Sequence, residues 1–394
     1  MITTTFRDDT LSLLGFGAMR LPQKPDGSID EAQVDAMVDM AIAGGVNYFD
    51  TAYPYHGGMS EIVMGRSLAR YPRESWKLAS KYPGHQIAAS YDPAAIFEEQ
   101  LKKCGVEYFD YYLLHNVYEK SIDVYMDEKW GILDYFKEQK RLGRIRHLGF
   151  STHGSTETIE RFLDYAGDAM EFCQIQLNYL DWSLQDAESK YEVLAYRGIP
   201  VWVMEPIHGG KLASLTPDHM EALDALHPGR TAAEWSFRFI QGLPNVQMVL
   251  SGMSALSQME ENLRTFDERI TLNDAETRQL MRIAEKLKNS VPCTGCRYCT
   301  DGCPMQLEIP ELLAIYNEIR LFPVTNVAMR VEALPEDKRP TACIGCGACT
   351  KICPQNIDIP LHLREFGEVL KTIPSWEQIC RERAEAARKL KEGK

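Results

Sequence analysis

Short runs of aliphatic, β-branched and aromatic residues alternate along the first two thirds of the chain with longer stretches in which apolar residues return every three or four positions. The short runs fall at 11–18, 48–52, 76–81, 108–115, 145–151, 172–178, 200–205 and 247–252, eight in all. Each has the length and composition of a buried strand. Between them, Val34, Met37, Val38, Ala41 and Ile42 step at i, i+3, i+4, i+7 and i+8, the signature of one helical face, and Leu256, Met259 and Leu263 repeat it. Gly44 and Gly45 stand where the first helix should stop. Eight strand–helix units within roughly 270 residues predict an α/β chain closed into a (β/α)8 barrel, because only closure removes both edges of so large a parallel sheet. An open doubly wound sheet would carry G-x-G-x-x-G after its first strand. The segment Gly15-Phe16-Gly17-Ala18-Met19 leaves that motif incomplete.

The pattern changes near residue 290. Residues 293–304 run CTGCRYCTDGCP and residues 343–354 run CIGCGACTKICP, each cysteine of the second lying 50 positions after its counterpart. A zinc site uses two separated cysteine pairs and has no use for a third cysteine at the same step. Three cysteines at that step with a fourth before proline resemble bacterial ferredoxins, in which the fourth cysteine ligates the other cluster. That resemblance implies two [4Fe–4S] clusters in a small α-helical dicluster domain. Cys293, Cys296, Cys299 and Cys353 would hold one, and Cys343, Cys346, Cys349 and Cys303 the other. The 39 residues between Cys303 and Cys343, with the helical PELLAIYNEIRLF, imply an insertion. Residues 273–289 are expected to form a connecting helix. The expected domains are therefore 1–287, 288–360 and a helical C-terminal extension at 361–394.

Composition narrows the setting. A net charge of −13 over 394 residues disfavours nucleic acid and anionic membranes as partners, since both need a basic footprint. No apolar run approaches the ~18 residues of a membrane helix, and the polar opening MITTTFRDDT does not match a secretory signal. Eight of the eleven cysteines sit in the two motifs. Thiolates holding metal suit a reducing compartment, so a cytoplasmic location is expected. Cys104, Cys173 and Cys380 are expected simply to pack.

Polar residues collect where the predicted strands end, which is where a barrel builds its active site. The second strand ends at Asp50, with Tyr55 five residues on in FDTAYPYHGGMSE; the third ends at Lys81 and the fourth at His115. The ammonium of Lys81 would lower the pKa of a nearby phenol, and Asp50 would keep that ammonium charged. These residues resemble the aldo/keto reductase family over roughly residues 1–270, most specifically in F-D-T-A-x-x-Y followed by G-x-S-E. The resemblance implies a catalytic set of Asp50, Tyr55, Lys81 and His115. Tyr55 would protonate a carbonyl oxygen as nicotinamide delivers hydride, and His115 would orient that oxygen.

The same resemblance implies an NAD(P)H site. Ser151, Thr152 and Gln176 would take the carboxamide, although Thr152 stands where the family commonly has Asn. Gly17 and Met19, where the first strand ends, are expected to touch the cofactor, and Glu205, Pro206, Gly209, Gly210 and Lys211 would fold over the pyrophosphate. Gly252, Ser254, Gln258, Glu261 and Asn262 would meet the adenosine. Where NADPH-specific relatives carry cations, this chain has Gly252, Met253, Ser254 and Gln258, so NADPH preference is in doubt. The substrate is expected to be a small carbonyl compound or alcohol, with an external ferredoxin or other electron carrier as a candidate partner. Two alternatives accompany this expectation. One is a dicluster electron carrier whose barrel is a docking or regulatory scaffold. The other is a cluster-driven reductase working through flavin or another intermediary.

Overall fold

The structure is a computed structural model that describes residues 1–394 except 87, 289–290, 292, 294–296, 322–323, 354–356 and 393–394. Ten strands are present: β1 (Thr3–Phe6), β2 (Asp9–Ser12), β3 (Leu14–Gly17), β4 (Tyr48–Asp50), β5 (Lys77–Tyr82), β6 (Phe109–Leu114), β7 (Ile145–Thr152), β8 (Cys173–Gln176), β9 (Val201–Met204) and β10 (Val246–Ser251). The strands β3 to β10 pair in parallel in chain order, and β10 returns to β3 through Ser251 opposite Phe16, which closes the expected barrel. No described helix is long and apolar enough to cross a membrane.

The predicted first strand, 11–18, is divided. Its beginning belongs to β2, which forms an antiparallel hairpin with β1, and only Leu14–Gly17 enters the barrel. The hairpin turns through Arg7 at φ 53°. It delivers Phe6 among Trp202, Tyr111 and Phe172, with ring centroids 4.9, 6.0 and 6.1 Å away. Asp9 pairs with Lys77 at 2.7 Å and accepts from the Tyr111 hydroxyl at 2.9 Å. The hairpin therefore covers the end at which the strands begin. Inside the barrel Phe6, Tyr48, Tyr111, Leu113, Phe172, Trp202 and Met248 are packed without solvent, so the interior is a core and not a pore.

Outside the barrel the predicted helical faces meet the sheet. Helix α1 (Glu31–Ala43) buries Val34, Met37, Val38 and Ala41; Asp30 caps its start by accepting from the Gln33 amide, and Gly45 at φ 86° follows its end. Helices α2 (Met59–Leu68) and α3 (Pro93–Cys104) approach at Gly65, where a Cβ would lie 2.2 Å from the carbonyl oxygen of Cys104. Backbone cannot yield cheaply there, so this contact requires glycine.

One compact unit comprises Met1–Trp182, Asp186–Leu280 and Arg383–Lys394, and a second comprises Ser183–Gln185 and Met281–Glu382. The division falls inside the helix Asp274–Leu287, which occupies most of the expected connecting segment. The second unit repeats itself. A short helix at Tyr298–Asp301 precedes a long one at Ile309–Leu321, and Ala348–Ile352 precedes Ile359–Lys371. Ile309 and Leu313 in one long helix, and Ile359 and Leu363 in the other, share a core. Tyr316 donates to Glu365 across the pair at 2.9 Å. The 50-residue period of the cysteines is thus also a period of the fold. The expected insertion holds the helix Thr325–Ala333 and two 3-10 turns.

Replacing Gly65 with Ala is expected to cost about 1–3 kcal/mol through overpacking, measurable as a lower urea midpoint with an unchanged m-value.

Candidate active site and cluster site

Four polar side chains meet at the end where the barrel strands finish. Asp50 closes β4, Lys81 lies in β5 and His115 follows β6. Tyr55 reaches them because the chain turns back through three successive left-handed residues, His56 (φ 51°), Gly57 (φ 64°) and Gly58 (φ 93°). The His56 ring holds this strained turn by accepting from the Leu21 amide at 3.2 Å. Lys81 is fully buried, and its Nζ donates to Asp50 Oδ1 at 2.5 Å, to the Thr51 carbonyl at 2.8 Å and to the Tyr55 hydroxyl at 3.4 Å. The ammonium has three protons and finds three acceptors. The rings of Tyr55 and His115 stand edge to face at 5.9 Å.

Electrostatics assigns the protonation states. Burial alone would lower the Lys81 pKa, but Asp50 and Tyr55 hold it above 10.5. Burial raises Asp50 from 3.8 while Lys81 pulls it back. The pair is ionic at neutral pH, because an ammonium this close leaves neither charge unpartnered. For Tyr55 the expected downward tuning is not the net result: burial raises the phenol above 10, and Lys81 offsets only part of that rise. His115 is held well below 6.5 by burial, then by the neighbouring His85 and Lys81. Its Nδ1 is buried without a partner among the described residues. A buried orphan acceptor is tolerated better than a buried orphan donor, so the single proton of the neutral ring belongs on Nε2. The ring of His85, which the sequence did not single out as catalytic, lies 4.3 Å from that of His115 at a tilt of 58°, and its pKa is itself driven down to about 3 by burial.

Around this centre lie the residues expected to hold a dinucleotide. Gln176 ends β8 and remains partly exposed. Ser151 is buried, its hydroxyl accepting from the Asn116 amide at 2.8 Å. Thr152 is also buried and gives its hydroxyl proton to the Val117 carbonyl at 2.6 Å, so it serves the backbone before any ligand. Gly17 ends β3, followed by the exposed Met19. After β9, Glu205 and Pro206 lead into Gly209 (φ 64°), Gly210 (φ 91°) and the exposed Lys211. Arg20 runs between Gly209 and Gly252 to pair with Glu205 at 2.8 Å, and a Cβ at Gly209 would come within 3.0 Å of its guanidinium. Ser254 donates its hydroxyl to the Arg20 carbonyl, and its amide to Gln258. Asn262 is buried on Ser251, and Glu261 accepts from Thr231 at 2.5 Å.

Sequence reasoning missed Arg20, Asn178, Asp181 and His208, all polar residues in the segments that follow β3, β8 and β9. The only signal was adjacency to motifs already noted. Bare glycine backbone, the Gln176 amide and a hydroxyl at Ser151 suit a nicotinamide dinucleotide.

The second unit brings Cys303, Cys343, Cys346 and Cys349 around one pocket, closed by Met305, Leu307, Ile309, Ile344 and Leu363. Three of these cysteines come from the second motif and one from the first, as the ferredoxin pattern implies. Cys349 is buried and Cys346 exposed. Of the other set, Cys299 is buried, Cys293 and Cys353 are partly buried, and Cys296 lies outside the described residues. Among the described residues no group of three His, Cys, Asp or Glu could grip a single metal ion. Four cysteines drawn from both motifs around one largely apolar pocket suit thiolate ligation of an iron–sulfur cluster.

Residues 13–285 match the Aldo/keto reductase family, and residues 292–357 match the 4Fe-4S dicluster domain. The NADH-specific methylglyoxal reductase of Escherichia coli is 26% identical over 330 residues, covering 71% of this chain and 97% of that protein. The L-galactose dehydrogenase of Arabidopsis thaliana is 25% identical over 303 residues, covering 71% and 92%. Among solved structures, aldo-keto reductase AKR11C1 from Bacillus halodurans in its holo form superposes with a TM-score of 0.59 at 24% identity, over 72% of this chain and 96% of that one.

The buried histidines predict a stability profile. The unfolded chain takes up a proton at His85 near 6.5, whereas the folded chain takes it up only near 3. Between those values the unfolded state binds more protons, so stability falls as pH falls. Each such histidine contributes a slope of about 1.4 kcal/mol per pH unit. His85→Gln should lower the slope measured by urea unfolding between about pH 6 and 4.5 by one such increment.

Proposed function

The chain belongs to the aldo/keto reductase family and carries a 4Fe-4S dicluster domain, and from that premise we propose that it reduces a small carbonyl compound at the expense of a nicotinamide dinucleotide, with Tyr55 as proton donor. The observation that carries this reading is the shared ammonium: Lys81 donates to Asp50 and to Tyr55 from a buried position. Reduced nicotinamide, when bound, supplies the hydride. The phenol gives its proton to the carbonyl oxygen, and the resulting phenolate is left beside Lys81, which favours that charge. Nε2–H of His115 donates to the same oxygen and orients it. One hydride and one proton convert carbonyl to alcohol, and solvent returns the proton to Tyr55.

We assign the dinucleotide as NADH. From Gly252 to Leu263 there is no lysine or arginine, whereas Glu260 and Glu261 are present. Arg20, beside Gly252, is already paired with Glu205. A 2′-phosphate there would lie near these carboxylates, with Arg264, exposed in the last turn of the same helix, as the cation nearest in sequence, while a carboxylate suits a 2′-hydroxyl. The similar protein from Escherichia coli is named as NADH-specific. The eight motif cysteines are assigned as ligands of two [4Fe–4S] clusters in the crossed arrangement, a store of single electrons beside a two-electron chemistry. Cys303 would serve the cluster held by the second motif, and Cys353 the cluster held by the first.

Tyr55→Phe should lower kcat for NADH-dependent carbonyl reduction by about 10²–10⁴-fold with little change in NADH affinity. Because burial places Tyr55 above 10 and His115 well below 6.5, the wild-type rate of reduction should stay flat across neutral pH and decline only on the alkaline side, as the phenol loses its proton. A rate that survives in Tyr55→Phe, or wild-type turnover with NADPH alone, rejects the corresponding assignment.

Anaerobically prepared protein should hold about eight iron atoms per chain, and Cys303→Ala about four. Adding Cys346→Ala should remove no further iron, because both cysteines serve one cluster. Adding Cys299→Ala should remove the remainder. A Cys303→Ala/Cys346→Ala protein without iron would sink the crossed assignment.

A further inference from the structure

Asp181 opens the short helix Asp181–Leu184 and is fully buried. One of its oxygens, Oδ2, receives three donors: Gln176 Nε2 at 2.9 Å, Asn178 Nδ2 at 2.5 Å and His208 Nδ1 at 2.8 Å. A carboxylate has only lone pairs to offer, so each partner must turn an N–H toward it. That requirement fixes ambiguous side chains. Gln176 must direct its NH2 group inward, which leaves the carbonyl Oε1 as the end it offers elsewhere. His208 must carry a proton on Nδ1.

Asn178 completes the arrangement. Its Oδ1 accepts from the amides of Leu180 and Asp181 at 3.0 and 2.8 Å, and its Nδ2 also donates to the Glu205 carbonyl at 2.9 Å. The carboxylate thus ties the end of β8 to the segment after β9, where Glu205 (φ 54°) and His208 (φ 46°) both hold left-handed backbone without being glycine. Such residues are strained and persist only where their surroundings hold them.

We propose that Asp181 is a positioning residue for dinucleotide recognition, forcing Gln176 to present an acceptor and not a donor to the nicotinamide carboxamide. The inference rests on the nicotinamide reading given above. The ligand group it selects is the carboxamide NH2. A glutamine turned the other way would set donor against donor, and the site would lose its means of telling an amide from a ketone at that ring position.

The test compares binding of NADH with binding of the reduced 3-acetylpyridine analogue, which lacks the NH2 donor. Wild-type protein should bind NADH about 10-fold more tightly than the analogue, the worth of one hydrogen bond. In Asp181→Asn, a near-isosteric change, Gln176 is free to turn over, and the preference should shrink to about 2-fold or less. Gln176→Ala should show the same loss, and adding Asp181→Asn to it should change the ratio no further. A general structural defect would weaken both ligands equally and leave the ratio intact, so an unchanged ratio in Asp181→Asn overturns the proposal. Equal binding of the two ligands by wild-type protein overturns it without any variant. Failure of wild-type protein to bind either dinucleotide defeats the nicotinamide reading itself, and the proposal with it.

Discussion

A single buried ammonium organises the upper half of the barrel. Lys81 has no contact with solvent, and its three protons go to Asp50, to the Thr51 carbonyl and to the Tyr55 hydroxyl. An isolated ammonium in such a place would lose its charge, because removing it from water costs several kcal/mol. It keeps the charge because β4 ends in a carboxylate one strand away, at the register that sets Asp50 beside Ala79. The Tyr55 loop then has a fixed point on which to land. Strand order, register and the left-handed turn at His56–Gly58 all serve to bring acceptors to one nitrogen.

Much of this was legible in the sequence because the relevant signals are local. A strand announces itself by a short apolar run, and a residue at its end can be located within one or two positions. Hence Asp50, Tyr55, Lys81 and His115 were found, and the structure brings them together. The cysteines were easier still, since ligand spacing is written along the chain and the 50-residue period repeats in the helices. What escaped was relational. Thr3–Phe6 and Asp9–Ser12 (TTTF and DTLS) carry no apolar run to mark them as strands, and they pair because Phe6 finds Trp202 and Tyr111 across some hundred residues or more.

The same distinction explains what the sequence did not show at the site. A sequence shows that a lysine lies near a tyrosine, but it does not show how dry the pocket is. Burial therefore outweighs Lys81 at Tyr55, and the phenol rises where proximity alone had suggested a fall. Thr152 matched a family position, yet its hydroxyl proton is taken by the Val117 carbonyl. Asp181 and His208 sit 27 positions apart and carry no joint pattern. Their meaning appears only when β8 and β9 pair side by side.

The vertical layering of the barrel separates stability from chemistry. Toward the start of the strands the interior is aromatic and aliphatic, filled by Phe6, Tyr48, Tyr111, Phe172 and Trp202. Toward their end it is polar, with the Lys81–Asp50 pair below His115 and Tyr55. A buried ion pair is often matched or exceeded in stability by apolar residues of the same volume, so folding alone gives little reason for charge at this level. The hydrophobic layer supplies rigidity, and the polar layer draws on it to hold a phenol, a neutral imidazole and a side-chain amide in fixed directions. Positioned groups of this kind accelerate a reaction because they are oriented before the substrate arrives. Burial of the phenol is what keeps Tyr55 protonated; on the mechanism proposed above, the expense of burying Lys81 is the cost of holding that phenol in place beside the charge that would stabilise it once the proton has left.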